Sequence, residues 1–125
     1  MNTRITGNLG EEAAVKLLKE KKYTILERNY RNRLGEVDII AKDKDVICFV
    51  EVKTRLSDVP DLALEAVSTA KQKKIAQTAL SYLKQHHLLD EEARFDVVIV
   101  TQKRPSILSA EIIQDAFSLP SPYRY

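Results

Sequence analysis

The chain of 125 residues contains one cysteine, three glycines and two histidines, and no apolar run approaches the length of a membrane span. Each shortage excludes something. The three glycines are scattered, so no glycine-rich loop is available to cradle phosphates. His86 and His87 are adjacent and on a helix would point about 100° apart, so they cannot share a metal ion; a helix C-terminus, where a cation is favoured, suits them better. Cys48 sits in an apolar stretch with no histidine nearby and reads as a small buried hydrophobe, not a nucleophile. Ser57, Ser68 and Ser81 lack a recognisable nucleophile context. Residues 1–6 have none of the apolar core of a signal peptide. These features predict a cytoplasmic protein with no membrane association. There is no internal repeat or low-complexity segment. The net charge of +2 neither requires nor forbids a nucleic-acid partner, because the distribution of charge matters more than its sum.

What is present is an ordinary globular composition, 44% hydrophobic and 30% charged, in a length that makes one domain and buries about two-thirds of the unfolded surface. Residues 9–22 read as an amphipathic helix with Thr6 or Asn8 as N-cap and an apolar stripe of Leu9, Ala13, Ala14, Leu17 and Leu18. A first strand falls within residues 23–30, beginning Tyr23-Thr24-Ile25-Leu26. A turn at Leu34-Gly35 leads into a second strand over 36–41, and a polar hairpin loop at 42–45 leads into a third over 46–53, an antiparallel meander. Residues 54–60 are loop-like. A second helix starts at Leu62 or Thr69, with a break near Ser68, and runs to His87 with Ile75, Ala76, Ala79, Leu80 and Leu83 inward. After a connection at 88–92, residues 95–100 form a buried strand that a right-handed crossover lays parallel to an earlier one. Residues 107–113 are a further edge-strand candidate, and 118–125 an extended, mobile tail. The order α-β-β-β-α-β describes an α/β layered domain, a mixed central sheet flanked by helices.

The stretch Val46-Ile47-Cys48-Phe49-Val50-Glu51-Val52-Lys53 has the continuous apolar character of a strand covered on both faces. Yet it carries Glu51 and Lys53 on one face, about 7 Å apart. The run before it, Val37-Asp38-Ile39-Ile40-Ala41, holds a second carboxylate. Two acids and an amine on adjoining strands are the equipment of a cation site that hydrolyses a phosphodiester. The competing explanation is a structural ion pair of Lys53 with either acid. Buried charges are costly and such pairs seldom improve on apolar packing, so the two readings stand level. On the first helix the wheel turns Glu12 to solvent and Glu11 toward the edge of the stripe, where it either leans over the sheet or complements the helix dipole. Gln72 falls in the middle of the second helix's apolar face, where an amide either bonds buried backbone or reaches into a site. Lys71 lies nearer the edge; Lys73 and Lys74 face outward. Residues 28–33, Arg-Asn-Tyr-Arg-Asn-Arg, are either a solvated loop or, joined by Arg55, a set of phosphate contacts.

Taken together, Gly7, Gly10-Glu11, Asn29-Tyr30-Arg31, Gly35-Glu36-Val37-Asp38, Phe49-Val50-Glu51-Val52-Lys53-Thr54-Arg55, Glu65-Ala66-Val67, Lys71-Gln72, Arg94-Phe95-Asp96 and Ala116-Phe117 resemble the small bacterial YraN-type proteins. That family belongs to the restriction-endonuclease-like superfamily with the PD-(D/E)xK nuclease site. The loop after Arg55 departs from the pattern: Leu56-Ser57-Asp58-Val59 stands where an aromatic-glycine pair is common.

The resemblance implies a single nuclease-like domain over residues 1–117. It carries Glu11, Asp38, Glu51 and Lys53 over as the catalytic set, with Gln72 in support. The expected activity is that of a Mg²⁺- or Mn²⁺-dependent DNA endonuclease, selective for branched or damaged DNA. Asp38, Glu51 and the Val52 backbone carbonyl would hold the metal, Glu11 would act through a water, and Lys53 would orient the attacking water. Arg28, Arg31, Arg33, Arg55 and Lys71 would contact nucleic acid, DNA before RNA. Nucleases of this fold often form homodimers to cut both strands, though no interface is legible in the sequence. The alternative is a non-catalytic DNA-binding or repair-scaffold module that keeps the nuclease fold.

Overall fold

The structure is a computed structural model that describes residues 7–56, 68–105 and 107–117. The elements are α1 (Gly7–Glu20), β1 (Thr24–Asn32), β2 (Gly35–Asp43), β3 (Val46–Leu56), α2 (Thr69–Gln85), β4 (Ala93–Arg104) and β5 (Ile107–Phe117). The five strands form one sheet in sequential order; β3 and β4 are parallel and the other pairs antiparallel. The expected crossover through the second helix is thus present. The strand expected at 95–100 and the edge-strand candidate at 107–113 are both present as an antiparallel hairpin, and each is longer than anticipated.

Alternation explains the apolar runs. In β3, Ile47 and Phe49 pack beneath α2, against Ile75, Ala76, Ala79, Tyr82 and Leu83, while Cys48 and Val50 pack beneath α1, against Ala14, Val15, Leu18 and Tyr23. With a helix over each face, both sets of side chains must be apolar. Burial pushes the Cys48 thiol up to about 12, which makes it inert as expected.

Several boundaries differ from the sequence reading. Residues 28–32, which the sequence leaves open between the strand anticipated within 23–30 and a solvated loop at 28–33, belong to β1, which ends two residues beyond the anticipated limit. Their side chains are mostly exposed, since β1 is an edge strand with little to cover it. The loop anticipated at 42–45 shrinks to a tight turn, because Asp43 pairs with Val46. Asn8 lies inside α1 and is not its cap, and Leu9 is 53% exposed while Val15 is buried in its stead. In α2 the buried face takes in Thr78 and Tyr82, with Leu80 only half-buried. Thr78 is tolerated because its hydroxyl donates to the Lys74 carbonyl at 2.8 Å. Ser68 N-caps α2, accepting from the Lys71 N–H at 3.2 Å. Thr6, residues 57–67 and the tail 118–125 lie outside the described residues.

Scarcity of glycine leaves a mark. Both helices end in the same double hydrogen-bond pattern: Tyr23 N–H to the Leu18 carbonyl with Lys22 N–H to Lys19, and Leu88 N–H to Leu83 with His87 N–H to Lys84. This pattern needs a left-handed residue, normally glycine. Here Lys22 (φ 71°) and His87 (φ 58°) fill the position. Gly35 is one glycine with a packing role: a Cβ there would lie 2.8 Å from Thr78 Oγ1, so the β1–β2 turn sits pressed against α2.

The far end of the sheet is fastened by a saturated polar cluster. Asp96 is fully buried and accepts from Arg94 Nε at 3.0 and 3.2 Å, from the Tyr23 hydroxyl at 3.1 Å and from the Asp115 N–H at 2.9 Å. Arg94 also donates to Asp43 and to the Tyr23 oxygen, each at 2.7 Å, and Gln114 donates to that same oxygen at 2.8 Å. The Tyr23 hydroxyl thereby uses its donor and both acceptor positions. The cluster joins the end of α1 to β2, β4 and β5.

Because a non-glycine residue in the left-handed region costs about 1 kcal/mol or more, His87→Gly should raise unfolding stability by about 1 kcal/mol. Urea unfolding of the variant against wild type checks this; a loss of stability would mean that the stacking of His86 on Tyr82 depends on the native backbone at 87.

Candidate functional site

The ladder between β2 and β3 runs from the tight turn out to Ile39 opposite Val50 and stops there. The next residues on each strand are Asp38 and Glu51, and their side chains take over the cross-strand bonding. Asp38 N–H donates to Glu51 Oε2 at 3.3 Å, and Val52 N–H donates to Asp38 Oδ2 at 2.8 Å. β3 stays paired with β4 as far as Leu56, and β2 stays paired with β1 as far as Gly35. The sheet therefore forks between β2 and β3, with a carboxylate on each side of the fork. Alternation slips here: Val37 packs beneath α2, while Ile39, two residues on, packs beneath α1. In β1 the adjoining residue, Asn29, is left-handed at φ 53°, so the distortion crosses two strands.

The electrostatics follow from burial. Glu51 is only 3% exposed. Burial, reinforced by the charge of Asp38 and opposed by Lys71, raises its carboxyl to about 7. The cation in contact is not Lys53, the partner considered from sequence, but Lys71, whose Nζ lies 3.2 Å from Glu51 Oε1. Lys53 shares the face as expected and its amine meets that of Lys71. Burial first, and then Lys71, lower the Lys53 pKa. Burial would lower Lys71 too, but contact with Lys53 and the charges of Glu51 and Asp38 hold it above its ordinary value. Of the two amines, Lys71 holds its proton more tightly and Lys53 gives its proton up more readily.

Of the two adjacent acids in the first half of α1, Glu11 is the one turned inward: its side chain is 15% exposed against 63% for Glu12. Glu11 Oε1 accepts from Asn29 Nδ2 at 2.9 Å. Asn29 lies between Arg28 and Tyr30, whose strand partners Ile39 and Val37 flank Asp38, so one hydrogen bond ties α1 to the neighbourhood of the fork. Among the described residues no three His, Cys, Asp or Glu side chains come together closely enough to hold a metal. The donor set that fits a hard divalent ion is Asp38 with Glu51, completed by the Val52 carbonyl and waters, in line with the few protein ligands such ions often take. The Lys71 ammonium rests on Glu51 Oε1.

The expected phosphate contacts separate into two groups. Arg28 is engaged by Glu12 at 2.6 Å and approaches Glu11 at 3.6 Å, and Arg55 donates to Thr101 Oγ1 at 3.1 Å. Arg31 forms a two-point pair with Glu36 at 2.8 and 3.1 Å. Arg31, Arg33, Lys71 and Lys74 line a cleft of about 450 Å³ between the β1–β2 turn and the start of α2. The basic strand end and the lysines of the second helix, which the sequence leaves as separate candidates, are one surface adjoining the fork. Gln72 is half-buried in the first turn of α2. Sequence reasoning missed the Lys71–Glu51 contact and the bridging place of Asn29. Both depend on which helix turn meets which strand end, and no local pattern encodes that.

The raised Glu51 pKa gives a stability prediction. A carboxyl that binds its proton more tightly when folded contributes stability that is complete below the ordinary carboxylate range and is lost as pH rises through about 7. In EDTA, wild type should lose up to about 3 kcal/mol from this group between pH 4.5 and pH 8. Glu51→Gln should flatten that slope and exceed wild type in stability at pH 8. Denaturant unfolding across this range reads both, and an unchanged slope in the variant would assign it to other groups.

No described helix is long and apolar enough to cross a membrane. The sequence model of the uncharacterised protein family UPF0102 matches residues 10–100. A UPF0102 protein of Syntrophus aciditrophicus is 51% identical over 114 residues, 91% of this chain and 89% of the relative. Others from Geotalea uraniireducens and Acetivibrio thermocellus are 47% and 45% identical, over 90% and 93% of this chain and 89% and 93% of theirs. With a fork, a helix-borne acid and a basic cleft carried on residues that fall largely within the matched span, the chain belongs to the uncharacterised protein family UPF0102.

Proposed function

We propose that this protein has a restriction-endonuclease-like fold with a PD-(D/E)xK-type site and hydrolyses DNA phosphodiesters with Mg²⁺ or Mn²⁺. The observation that carries the reading is the pair of opposed carboxylates, Asp38 and Glu51, at a break in the β2–β3 ladder, with the Lys71 amine against Glu51 and the Lys53 amine against that of Lys71. A fully paired ladder is the cheaper arrangement for a buried sheet. A fork lined with acid is a poor structural choice and a good cation seat. The divalent ion, held by Asp38, Glu51 and the Val52 carbonyl, would supply Lewis-acid stabilisation and a more acidic water.

The remaining work falls to the chain. Lys53 orients the attacking water toward phosphorus and offsets the negative charge that grows on the phosphoryl oxygens as the P–O bond to the leaving group breaks. Its lowered pKa suits a group that exchanges protons with that water. Glu11, fixed by Asn29, reaches the site through a bridging water. Gln72, one residue beyond Lys71, supports the substrate side. Arg33, Lys71 and Lys74 bind the DNA backbone in their cleft, while Arg28, Arg31 and Arg55, already engaged with Glu12, Glu36 and Thr101, contribute less than the sequence expectation gave them. DNA of branched, nicked or single-stranded form is the substrate class to be screened.

Lys53→Met keeps the apolar stem and removes the amine. It should leave folding and Mn²⁺ binding intact while cleavage falls by roughly 10²–10⁴-fold. Equal cleavage by wild type and variant would make Lys53 a structural residue. Failure of the wild type to cut any member of a broad DNA panel with Mg²⁺ or Mn²⁺ would favour the non-catalytic DNA-binding module.

Binding should depend on the cleft. The double charge reversal Arg33→Glu with Lys74→Glu should weaken binding to all DNA sequences about equally and reduce the slope of log affinity against log salt by about 2. Fluorescence anisotropy at several salt concentrations measures it, and an unaltered slope would move the footprint elsewhere.

A further inference from the structure

Lys71 occupies an unusual position between two environments. Its backbone is fixed: it stands in the first turn of α2, and its N–H is taken by the Ser68 cap. Its side chain is not so constrained. The side chain is 44% exposed, yet its ammonium touches a carboxylate that is 3% exposed. The lysine therefore covers a buried anion from the solvent side, and it can leave for water without opening the core. The same side chain lines the cleft shared with Arg31, Arg33 and Lys74. Released from Glu51, the ammonium is already among groups that suit a phosphate.

The energetics favour exchange. An ion pair whose ammonium is about half in water and touches one oxygen is worth on the order of 1 kcal/mol. A monovalent ammonium touching one oxygen of Glu51 is a weaker partner for two opposed carboxylates than a divalent ion bridging them. We propose that Lys71 is the resident cation of the Asp38–Glu51 fork, that a divalent metal displaces it, and that the displaced ammonium turns into the basic cleft to hold a phosphate of the DNA. Metal loading and substrate grip are thereby coupled through one side chain. The inference rests on the metal-dependent reading of the fork and adds to it a residue that trades one partner for another.

The test uses the whole chain with ¹³C-labelled lysine, the Lys71 Hε–Cε signal being assigned by its loss in Lys71→Met. On titration with Mg²⁺, the Lys71 signal should shift and saturate with the midpoint that calorimetry gives for Mg²⁺ binding. Lys71→Met should bind Mg²⁺ about fivefold more tightly, the factor set by removing a competitor worth about 1 kcal/mol. Lys74→Met, which removes a charge from the same cleft one turn away, should bind as wild type does. With Ca²⁺ as a metal chosen to limit cleavage, adding metal should improve the DNA affinity of wild type several-fold more than that of Lys71→Met.

Mg²⁺ binding with the Lys71 signal unmoved, or equal tightening in Lys74→Met, would overturn displacement while leaving the metal site standing. An equal metal effect on DNA affinity in wild type and Lys71→Met would overturn the coupling. Absence of Mg²⁺ and Mn²⁺ binding to wild type and Lys71→Met alike would remove the metal-dependent reading and this inference with it.

Discussion

The reciprocal hydrogen bonds between Asp38 and Glu51 set the local architecture. Each carboxylate accepts from a backbone N–H of the opposite strand, so two side chains hold β2 to β3 where the ladder has ended. The rest of the site follows from that substitution. β3 continues with β4 on one side and β2 with β1 on the other, and the fork between them opens beside the start of α2. Gly35 lets the β1–β2 turn pack against Thr78, so the basic end of β1 lies next to Lys71 and Lys74. Glu11 is drawn in by Asn29, whose left-handed backbone belongs to the same distortion.

A second buried acid shows what structural use of a carboxylate looks like in this fold. Asp96 also stands at an irregularity in a ladder, between β4 and β5, and also accepts a backbone N–H from the neighbouring strand. It is answered in full by a guanidinium on both oxygens and a tyrosine hydroxyl. Among the described residues Glu51 receives one amide on Oε2 at 3.3 Å, near the limit of a useful hydrogen bond, and on Oε1 a lysine that is about half in water. The burial of the two acids is nearly the same, and among the described residues the bonds to Glu51 are the weaker. Keeping a buried acid on weak partners is the pattern expected of a functional group retained at the expense of stability.

Much of this was legible in the sequence, for identifiable reasons. β2, β3 and β4 announce themselves because they are covered on both faces and read as apolar runs in which Asp38, Glu51, Lys53 and Asp96 stand out. Those residues mark the two polar centres. The helical wheel separates Glu11 from Glu12, since a single 100° step is enough to move a side chain from the sheet to solvent. What stayed hidden depends on tertiary placement. Residues 31 and 32 extend β1 past the anticipated strand with Arg31 exposed and Asn32 half-buried, so no apolar alternation marks the extension. β5 is longer than its apolar pattern because its partner β4, not its own composition, sustains it. The pairing of Lys71 with Glu51 spans a helix start and a strand, and the two positions carry no shared periodicity. The nearer lysine, Lys53, was the natural partner to expect.

The central claim, that the fork between β2 and β3 is a divalent-cation seat, is most directly tested by a crystal structure of the protein grown with Mn²⁺ and measured for anomalous scattering. The account predicts an anomalous peak in the fork, within about 2.0–2.3 Å of an oxygen from both Asp38 and Glu51, with Lys71 turned away from Glu51. A fork that stays empty at saturating Mn²⁺ with Lys71 still on Glu51, or a peak bound by other residues alone, would contradict it.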